Sequence, residues 1–441
     1  MTRQEAEDLI FASYMRALPY LSYELPDSRK RHPEYTEEII RRLYRGICSI
    51  AVTGSKGKGS AAYILSRILS LCGKTGLMTG PHIESFNERF RAGDEPISDR
   101  EFTDIMSGLY PSFEAIPTDP LKGEFISPIG LETALAEVFF AESHTDFDIY
   151  EHGKGVRYDD VKNVPASYAL INTIFLEHTR ELGRTVEAIA RDKACIIRPG
   201  MKGVCAGWQS DEVSRIIKDR ASELGVPLKM AGRDFDVRDI VFHEDGMSCT
   251  VDTGRRSYRE LWISLMGTPQ CRNLALALAA AEDIAGEGFL ASGEDMTRLR
   301  TVLKGLKWFG RLTVLRRRPF ALVDCCINRG SVFAALEVLD GLHIKRARVI
   351  LAIPDDKDYQ GVAKAVSLAG YDIVLSRIEN PHYRFSGIQQ KELEKAGISF
   401  TYEEDMEAAV RQADCPLVIL GTAAMLPLIR KIQTEGGFDE R

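Results

Sequence analysis

The stretch that decides the fold runs from Ser49 to Ser60 and reads Ser-Ile-Ala-Val-Thr-Gly-Ser-Lys-Gly-Lys-Gly-Ser. Its apolar part, Ile50 to Val52, is typical of a buried strand, and the residues after Ser60 carry apolar side chains at helical spacing. A glycine-rich loop between a strand and a helix brings backbone N–H groups and the positive end of the helix dipole close to an anion. The stretch therefore predicts a phosphate-binding loop, in which Lys58 reaches the outer phosphates and Ser60 ligates a cation.

This loop departs from the usual G-x-x-x-x-G-K-[ST] pattern. Val52 stands where the first glycine belongs, and Gly59 stands where the hydroxyl belongs. An ordinary glycine-rich turn is the alternative, but strand, loop and helix agree with a phosphate site. The residues expected to contact phosphate are Gly54, Ser55, Gly57, Lys58, Gly59 and Ser60.

Composition excludes several classes of protein. The 441 residues carry a net charge of −7, which argues against a nucleic-acid partner. No apolar run approaches the roughly 20 residues of a membrane helix, and the acidic N-terminus does not resemble a secretory signal, so a cytoplasmic protein without membrane contact is expected. The nine cysteines show no C-x-x-C spacing and are expected to be reduced. Cys48, Cys72 and Cys205 have apolar neighbours and are expected in the core.

Strands alternate with helices along the chain, which predicts an α/β fold with parallel sheets. We expect a P-loop-type parallel-sheet ATPase domain followed by a smaller, Rossmann-like α/β domain. The expected limits are a helical cap at 1–47, a central domain at 48–305 and a C-terminal domain at 306–441. Glu151 and Asp324 each follow a buried strand, and ligands bind at this end of parallel strands.

Several motifs together resemble those of one family. Residues 54–60, G-S-K-G-K-G-S, resemble the shortened loop of the Mur ligase superfamily, and most closely the G-T-x-G-K-G-S loop of folylpolyglutamate synthases. Residues 79–82 and 87–91 resemble the family's T-S-P-H and N-E-R-I-R. Residues 151–159 resemble E-V-G-L-G-G-R-L-D, and residues 171–197 resemble the family's stretch from I-T-N-I through D-H to K-A-x-I-I, with Glu177 in place of aspartate.

The resemblance implies roles for individual residues. Glu151 and Ser60 would ligate a Mg²⁺ ion that bridges the phosphates of ATP. His178 would ligate a second Mg²⁺, together with the carboxylate of a carbamylated Lys193. Burial depresses the pKa of a lysine and so favours the neutral amine that reacts with carbon dioxide.

Later motifs add residues to this implied site. Asn273 matches a family asparagine that faces the nucleotide base, although it could equally cap a helix. Arg311, in Gly310-Arg311, matches an arginine that reaches the triphosphate from the C-terminal domain. Asp324 matches the aspartate of the family's D-G-A-H-N-P.

Three positions depart from the family. Gly80 replaces a serine that ligates the cation, Pro269 replaces a histidine, and Ile327 replaces a histidine expected to contact bound ligand. The identity of the acceptor acid is therefore left open.

The function implied by the resemblance is an ATP-dependent amide ligase. It would join an amino acid, glutamate by analogy, to a small carboxylic acid through an acyl phosphate, as a monomer or weak oligomer. One alternative is a ligase of the same type that acts on a non-folate acid. The other is a nucleotide-binding protein that has lost ligase activity.

Overall fold

The computed structural model describes residues 1–22, 25–381 and 383–439. These residues divide into two units. The first unit comprises Met1–Asp236, Val251–Ser257 and Arg272–Val302. The second unit comprises Val237–Thr250, Tyr258–Cys271 and Leu303–Arg441. The domain limits expected from the sequence stay a prediction.

Within the described ranges, the first unit is built on an eight-stranded sheet. Its strands are β1 (Cys48–Thr53), β2 (Thr75–Met78), β3 (Phe90–Ala92), β4 (Glu95–Pro96), β5 (Phe147–Glu151), β6 (Tyr168–Ile171), β7 (Gly203–Ala206) and β8 (Leu228–Met230). Their order is β4-β3-β2-β5-β1-β6-β7-β8. In this order, all neighbouring strands from β2 through β5, β1, β6 and β7 to β8 are parallel. Strand β3 pairs antiparallel with both β2 and β4. The predicted α/β class with a parallel sheet is thereby confirmed.

Helices precede, connect and follow these strands in the chain. They are α1 (Arg3–Ala17), α2 (Asp27–Lys30), α3 (Glu34–Leu43), α4 (Lys58–Leu69), α5 (Asp99–Glu114), α6 (Pro128–Glu142), α7 (Val186–Lys193), α8 (Asp211–Glu223), α9 (Thr268–Ala285) and α10 (Gly293–Lys304). Short 3-10 helices lie at Leu18–Tyr20, Phe86–Arg89, Pro120–Lys122, Asp160–Asn163 and Ala194–Ile196. Among the described residues, no helix has the length and apolar character needed to cross a membrane.

Two apolar clusters fix the sheet of the first unit. One joins Met78 and Tyr150 of the sheet to side chains of α1, α3, α5 and α6. The other joins Ala51 and Ile171 to side chains of α7 and α8. Strand β1 is buried along nearly its whole length, which matches the apolar run that predicted it. The glycine-rich loop therefore leaves the centre of a sheet that is packed against helices.

A three-stranded sheet follows in the chain. Its strands are β9 (Asp236–His243), β10 (Gly246–Asp252) and β11 (Ser257–Ile263), in the order β11-β10-β9.

The second unit contains a six-stranded sheet of described residues. Its strands are β12 (Thr313–Arg316), β13 (Ala321–Asp324), β14 (Arg348–Ala352), β15 (Asp372–Arg377), β16 (Thr401–Asp405) and β17 (Leu417–Gly421), in the order β12-β13-β17-β14-β15-β16. All neighbours are parallel except β12 and β13. The helices are α11 (Arg329–Gly341), α12 (Tyr359–Leu368), α13 (Ile388–Lys395), α14 (Met406–Arg411) and α15 (Leu426–Thr434), with a 3-10 turn at Ala423–Met425.

The cysteine prediction holds in part. Cys205 is buried and Cys48 is half-buried, but Cys72 is exposed. The prediction for Cys72 was wrong because this residue lies beyond the last turn of α4, where apolar neighbours in sequence no longer imply burial.

Candidate active site

The phosphate loop joins β1 to α4, and two of its glycines have a conformation that other residues rarely adopt. The φ angles of Gly54 and Gly57 are +146° and +81°. A Cβ atom at Gly57 would lie 2.6 Å from Nδ2 of Asn172, and one at Gly54 would lie 2.8 Å from Cβ of Asn172. Both glycines are therefore required by backbone conformation and by the close approach of Asn172.

The start of α4 provides the anion-binding groups of the loop. Gly57 caps the helix without a side-chain hydrogen bond, and the helix begins at Lys58. The first N–H groups of a helix have no acceptor within it, and they carry the positive end of its dipole. Gly57, Lys58, Gly59 and Ser60 thus place donors where the sequence predicts phosphate.

Ser55 is hydrogen-bonded through both its backbone N–H and its hydroxyl group. Its N–H donates to the Thr173 carbonyl oxygen at 2.8 Å. Its hydroxyl donates to the Phe175 carbonyl oxygen and accepts from the Phe175 N–H, both at 3.1 Å. Ser55 therefore fastens the loop to the segment after β6.

Two lysines share one carbonyl of the loop. Lys58 Nζ and Lys193 Nζ each donate to the Gly54 carbonyl oxygen at 3.0 Å. Lys193 Nζ also donates to the Lys154 carbonyl oxygen at 2.7 Å and lies 3.0 Å from Oε1 of Glu177. The ammonium group of Lys193 thus donates two hydrogen bonds to backbone carbonyls and forms an ion pair with Glu177.

The environment of Lys193 disfavours its charge. Its side chain is fully buried at the end of α7. Burial lowers the pKa of the ammonium, and the nearby Lys58 lowers it further, while the Glu177 carboxylate opposes the shift. A lowered pKa raises the fraction of neutral amine, which is the form that carbamylation requires.

An asparagine pair closes the other side of the loop. Asn172 Nδ2 donates to Oδ1 of Asn273 at 2.7 Å, and both side chains are buried. The backbone carbonyl oxygen of Asn172 also accepts a hydrogen bond from Nε2 of Gln209 at 2.9 Å. Asn273 lies within α9 and not at its N-terminal cap, and its side chain reaches across to the residue that follows β6.

Asn172 and Glu177 were missed as site residues by sequence reasoning. Asn172 directly follows β6, so its place at the carboxyl end of a parallel strand was an available signal. Glu177 was noted only as a replacement for aspartate. Its ion pair with Lys193 had no sequence signal, because the two residues approach each other only in the folded chain.

Oxygen donors for a cation lie on neighbouring elements. Glu151 ends β5, whose register with β1 sets it beside Val52, and Ser60 lies buried in the first turn of α4. The Glu151 carboxylate accepts from the Gly80 N–H at 3.1 Å. This donor belongs to the backbone and does not depend on the side chain at position 80, so the departure at Gly80 removes only the hydroxyl that the resemblance implies.

His178 lies close to Glu177 in a turn with left-handed backbone. Its φ is +44°, and its Nε2 lies 3.7 Å from Oε2 of Glu177. Burial lowers its pKa, with an opposing contribution from Glu177, so the imidazole is favoured in the neutral form that ligates metals. Glu181, in the same turn, forms an ion pair with Lys154 at 2.9 Å.

Two of the predicted cation ligands have side chains whose chemistry suits Mg²⁺. Among the described residues, no group of three or more His, Cys, Asp or Glu side chains is placed to hold a metal ion. Mg²⁺ is commonly held by one or two protein oxygens, with phosphates and water completing its shell. Ser60 and Glu151 match that pattern. The ammonium group of Lys193 has no lone pair to offer a cation. Lys193 would therefore ligate Mg²⁺ only after carbamylation.

The second unit contains Arg311 and Asp324, which the sequence also predicted. Oδ1 of Asp324 accepts from the Leu312 N–H at 3.0 Å, and the Cys325 N–H donates to the Gly310 carbonyl oxygen at 3.0 Å. The backbone on both sides of Arg311 is thus fixed to the end of β13. Asn328 caps α11 by accepting from the Ser331 N–H at 2.9 Å.

The structure brings together part of the predicted site. Lys58 and Lys193 meet at Gly54, and Asn273 lies against Asn172 beside Gly57. Glu151 lies at the end of the strand next to β1. Arg311 and Asp324 lie in the second unit.

Comparison with known proteins gives a consistent result. A model of the Mur ligase middle domain matches residues 52–281, just over half of the chain. The dihydrofolate synthase/folylpolyglutamate synthase of Bacillus subtilis is 29% identical over 403 residues, covering 87% of this chain and 91% of the relative. The folylpolyglutamate synthase of Lacticaseibacillus casei is 26% identical over 385 residues, covering 87% and 89%.

Solved structures agree over nearly the whole chain. A folylpolyglutamate synthase in complex with AMPPCP and folate superposes with a TM-score of 0.79 at 25% identity, covering 99% of this chain and 100% of that one. The Mycobacterium tuberculosis folylpolyglutamate synthase in complex with ADP gives a TM-score of 0.81 at 22% identity, covering 94% and 97%. The similarity in fold thus extends through both units.

Proposed function

The chain belongs to the Mur ligase family and is an ATP-dependent ligase similar to folylpolyglutamate synthases; from this premise we propose that it joins glutamate to a reduced folate through an acyl phosphate. In this reaction the γ-phosphate of ATP passes to a carboxylate of the folate. The amine of glutamate then forms the amide bond and phosphate leaves. Phosphorylation is needed because a free carboxylate is a poor electrophile.

One observation carries the proposal: Lys58 and Lys193 converge on the Gly54 carbonyl oxygen at 3.0 Å each. Lys58 lies at the start of a helix whose first N–H groups have no acceptor within the helix, and both features favour a bound anion. Phosphoryl transfer is catalysed mainly by positioning and by stabilising negative charge. The side chain of Lys58 is long enough to contact the terminal phosphate and to stabilise its negative charge during transfer.

The proposal assigns the cations to named residues. Ser60 and Glu151 would hold one Mg²⁺, and His178 with a carbamylated Lys193 would hold a second. When bound, the cations neutralise phosphate charge during transfer. The chain's own contribution is to fix these donors, since Gly80 donates to Glu151 at 3.1 Å and α4 fixes Ser60.

Arg311 is proposed to bind the triphosphate. A guanidinium group matches the planar oxygens of a phosphoryl group. The hydrogen bonds from Leu312 to Asp324 and from Cys325 to Gly310 support this role, since they restrict the backbone that bears the arginine.

The experiment is a coupled assay with ATP, MgCl₂, glutamate and tetrahydrofolate, in which ADP release and product mass are both followed. We expect ADP formation that depends on the folate, and a product longer by one glutamate. Lys58→Met should reduce the rate by more than about 100-fold, as removal of a charge-stabilising group typically does. Lys56→Met is the matched control, because Lys56 is an exposed lysine of the same loop.

Two outcomes would contradict the proposal. ATP hydrolysis indifferent to every acid would favour a nucleotide-binding protein without ligase activity. Turnover with other carboxylic acids but not with folates would keep the ligase and refute the folate substrate. The replacement of a family histidine by Ile327 makes this second control necessary.

A further inference from the structure

His82 lies at the edge of the sheet where the site is built. It follows the carboxyl end of β2, and the strand order places β5 between β2 and β1. Register pairs Met78 with Tyr150, so the segment after β2 leaves the sheet beside Glu151. The ends of β1, β5 and β2 thus present, in order, the phosphate loop, Glu151 and His82.

The hydrogen bonding of His82 fixes its tautomer. Nε of Arg89 donates to Nδ1 of His82 at 3.1 Å. An arginine has only donors, so Nδ1 must be the acceptor nitrogen of a neutral ring. The proton of the neutral imidazole is therefore on Nε2. Among the residues that the structure describes, none hydrogen-bonds to Nε2, which makes this N–H an available donor.

Arg89 is itself held rigidly. Its Nη1 donates to both carboxylate oxygens of Glu132 at 2.9 and 2.8 Å, and Glu132 is 2% exposed. The guanidinium also stacks 4.6 Å from the ring centre of Phe86, whose ring contacts His82. A charged donor anchored on a buried carboxylate thus orients the imidazole. Binding sites need their donors held in a fixed orientation by neighbouring side chains, and Glu132 and Arg89 do this for His82.

The environment also keeps the ring neutral. Burial lowers the pKa of His82, and the positive charge of Arg89 lowers it further. Glu7 and Glu88 act in the opposite direction but do not reverse the shift.

We infer that the Nε2–H of His82 binds a carboxylate oxygen of the acid substrate and positions it for phosphorylation. This inference rests on the proposed function. Adjacent strands are about 4.8 Å apart, so the end of β2 lies roughly 10 Å from the phosphate loop at the end of β1. In the proposed function the phosphates would occupy the loop and a cation would lie at Glu151, which leaves the next place along this edge for the carboxylate of the acid substrate.

Kinetics of two variants test the inference. His82→Leu removes the donor, whereas His82→Gln keeps an N–H close to the position of Nε2. Loss of a hydrogen bond to a charged group typically lowers an equilibrium or rate constant by about 10- to 100-fold. We expect His82→Leu to lower kcat/KM for tetrahydrofolate by that factor and His82→Gln to retain most of it. Affinity for AMPPCP, measured by calorimetry, should be unchanged in both.

The outcomes separate the inference from the proposed function. Equal kcat/KM for wild type and His82→Leu would refute the role of His82 alone. Weaker AMPPCP binding with unchanged ADP binding would also refute it, since the donor would then contact the γ-phosphate. Wild type that binds AMPPCP but does not turn over tetrahydrofolate would refute the proposed substrate, and the inference with it.

Nuclear magnetic resonance reports the tautomer of His82 directly, which a measurement of stability alone would not do. In protein labelled with ¹⁵N-histidine, the signals missing from His82→Gln belong to His82. We expect one protonated and one unprotonated ring nitrogen, with the couplings of the Nε2–H tautomer. The Nδ1–H tautomer would overturn the inference.

Discussion

Replacement of Gly57 by alanine should destabilise the first unit and impair nucleotide binding. The new Cβ would lie 2.6 Å from Nδ2 of Asn172 and 3.1 Å from Oδ1 of Asn273. Those two atoms are hydrogen-bonded to each other at 2.7 Å in buried side chains, so neither can move without breaking that bond. The clash falls on the pair that borders the phosphate loop.

The magnitude follows from two contributions. A left-handed backbone costs an L-residue about 1–2 kcal/mol. Loss of a buried hydrogen bond, leaving polar groups unpaired, costs about 1–3 kcal/mol more. Gly46→Ala is the matched control, because Gly46 has φ +74° but no atom within 4 Å of the added Cβ. Gly57→Ala should therefore lose about 1–3 kcal/mol more stability than Gly46→Ala.

Urea unfolding followed by circular dichroism measures the difference. The midpoint should fall further for Gly57→Ala than for Gly46→Ala, with similar slopes. Calorimetry with ADP should show weaker binding for Gly57→Ala only. Equal midpoints for the two variants would refute the reasoning, since strain alone would then account for both.

Three further predictions concern Lys193, Gly80 and Glu137. In protein whose Lys193 is not carbamylated, Lys193→Met removes the cation from Glu177 and should destabilise the fold by about 3–5 kcal/mol in urea unfolding. Adding Glu177→Gln should restore part of that loss, and a simple sum of the two single effects would contradict the ion pair. Gly80→Ser meets no close neighbour and should fold normally, and its added hydroxyl should lower the Mg²⁺ concentration for half-maximal ADP formation; the same change in Gly80→Ala would exclude a role for the hydroxyl. Burial raises the pKa of Glu137 from 4.5 to about 7, so the folded state binds the extra proton and the free energy of unfolding should fall by about 3 kcal/mol as pH rises from 4.5 through 7. Glu137→Gln keeps an acceptor for Tyr150 and should remove this contribution, and an unchanged pH profile in urea unfolding would show that Glu137 is not its source.

The sequence predicted the parts of the molecule that are encoded locally. The apolar run before Gly54, the glycines and the helical spacing after Ser60 lie within a short segment, so strand, loop and helix could be placed together. Alternation of strands and helices likewise predicted the parallel sheets, because parallel strands need crossover connections.

The contacts that assemble the site depend on distant parts of the chain. Asn172 meets Asn273 about a hundred positions away, and the partners of Lys193 include two backbone carbonyls. Every residue has a carbonyl, so no side-chain pattern marks those of Gly54 and Lys154. The tautomer of His82 depends in the same way on the position of Arg89, which only the fold determines.

The bonding of the Gly54–Ser55 peptide has a consequence for how the loop can be observed. A trans peptide points its carbonyl and its N–H to opposite sides. Here the carbonyl faces two lysines and the N–H faces Thr173. The Ser55 amide hydrogen should therefore exchange with solvent only when the loop detaches from the sheet, whereas the amides of Gly57–Ser60 should gain protection when an anion binds. One loop thus contains separate reporters of folding, at Ser55, and of anion binding, at Gly57–Ser60.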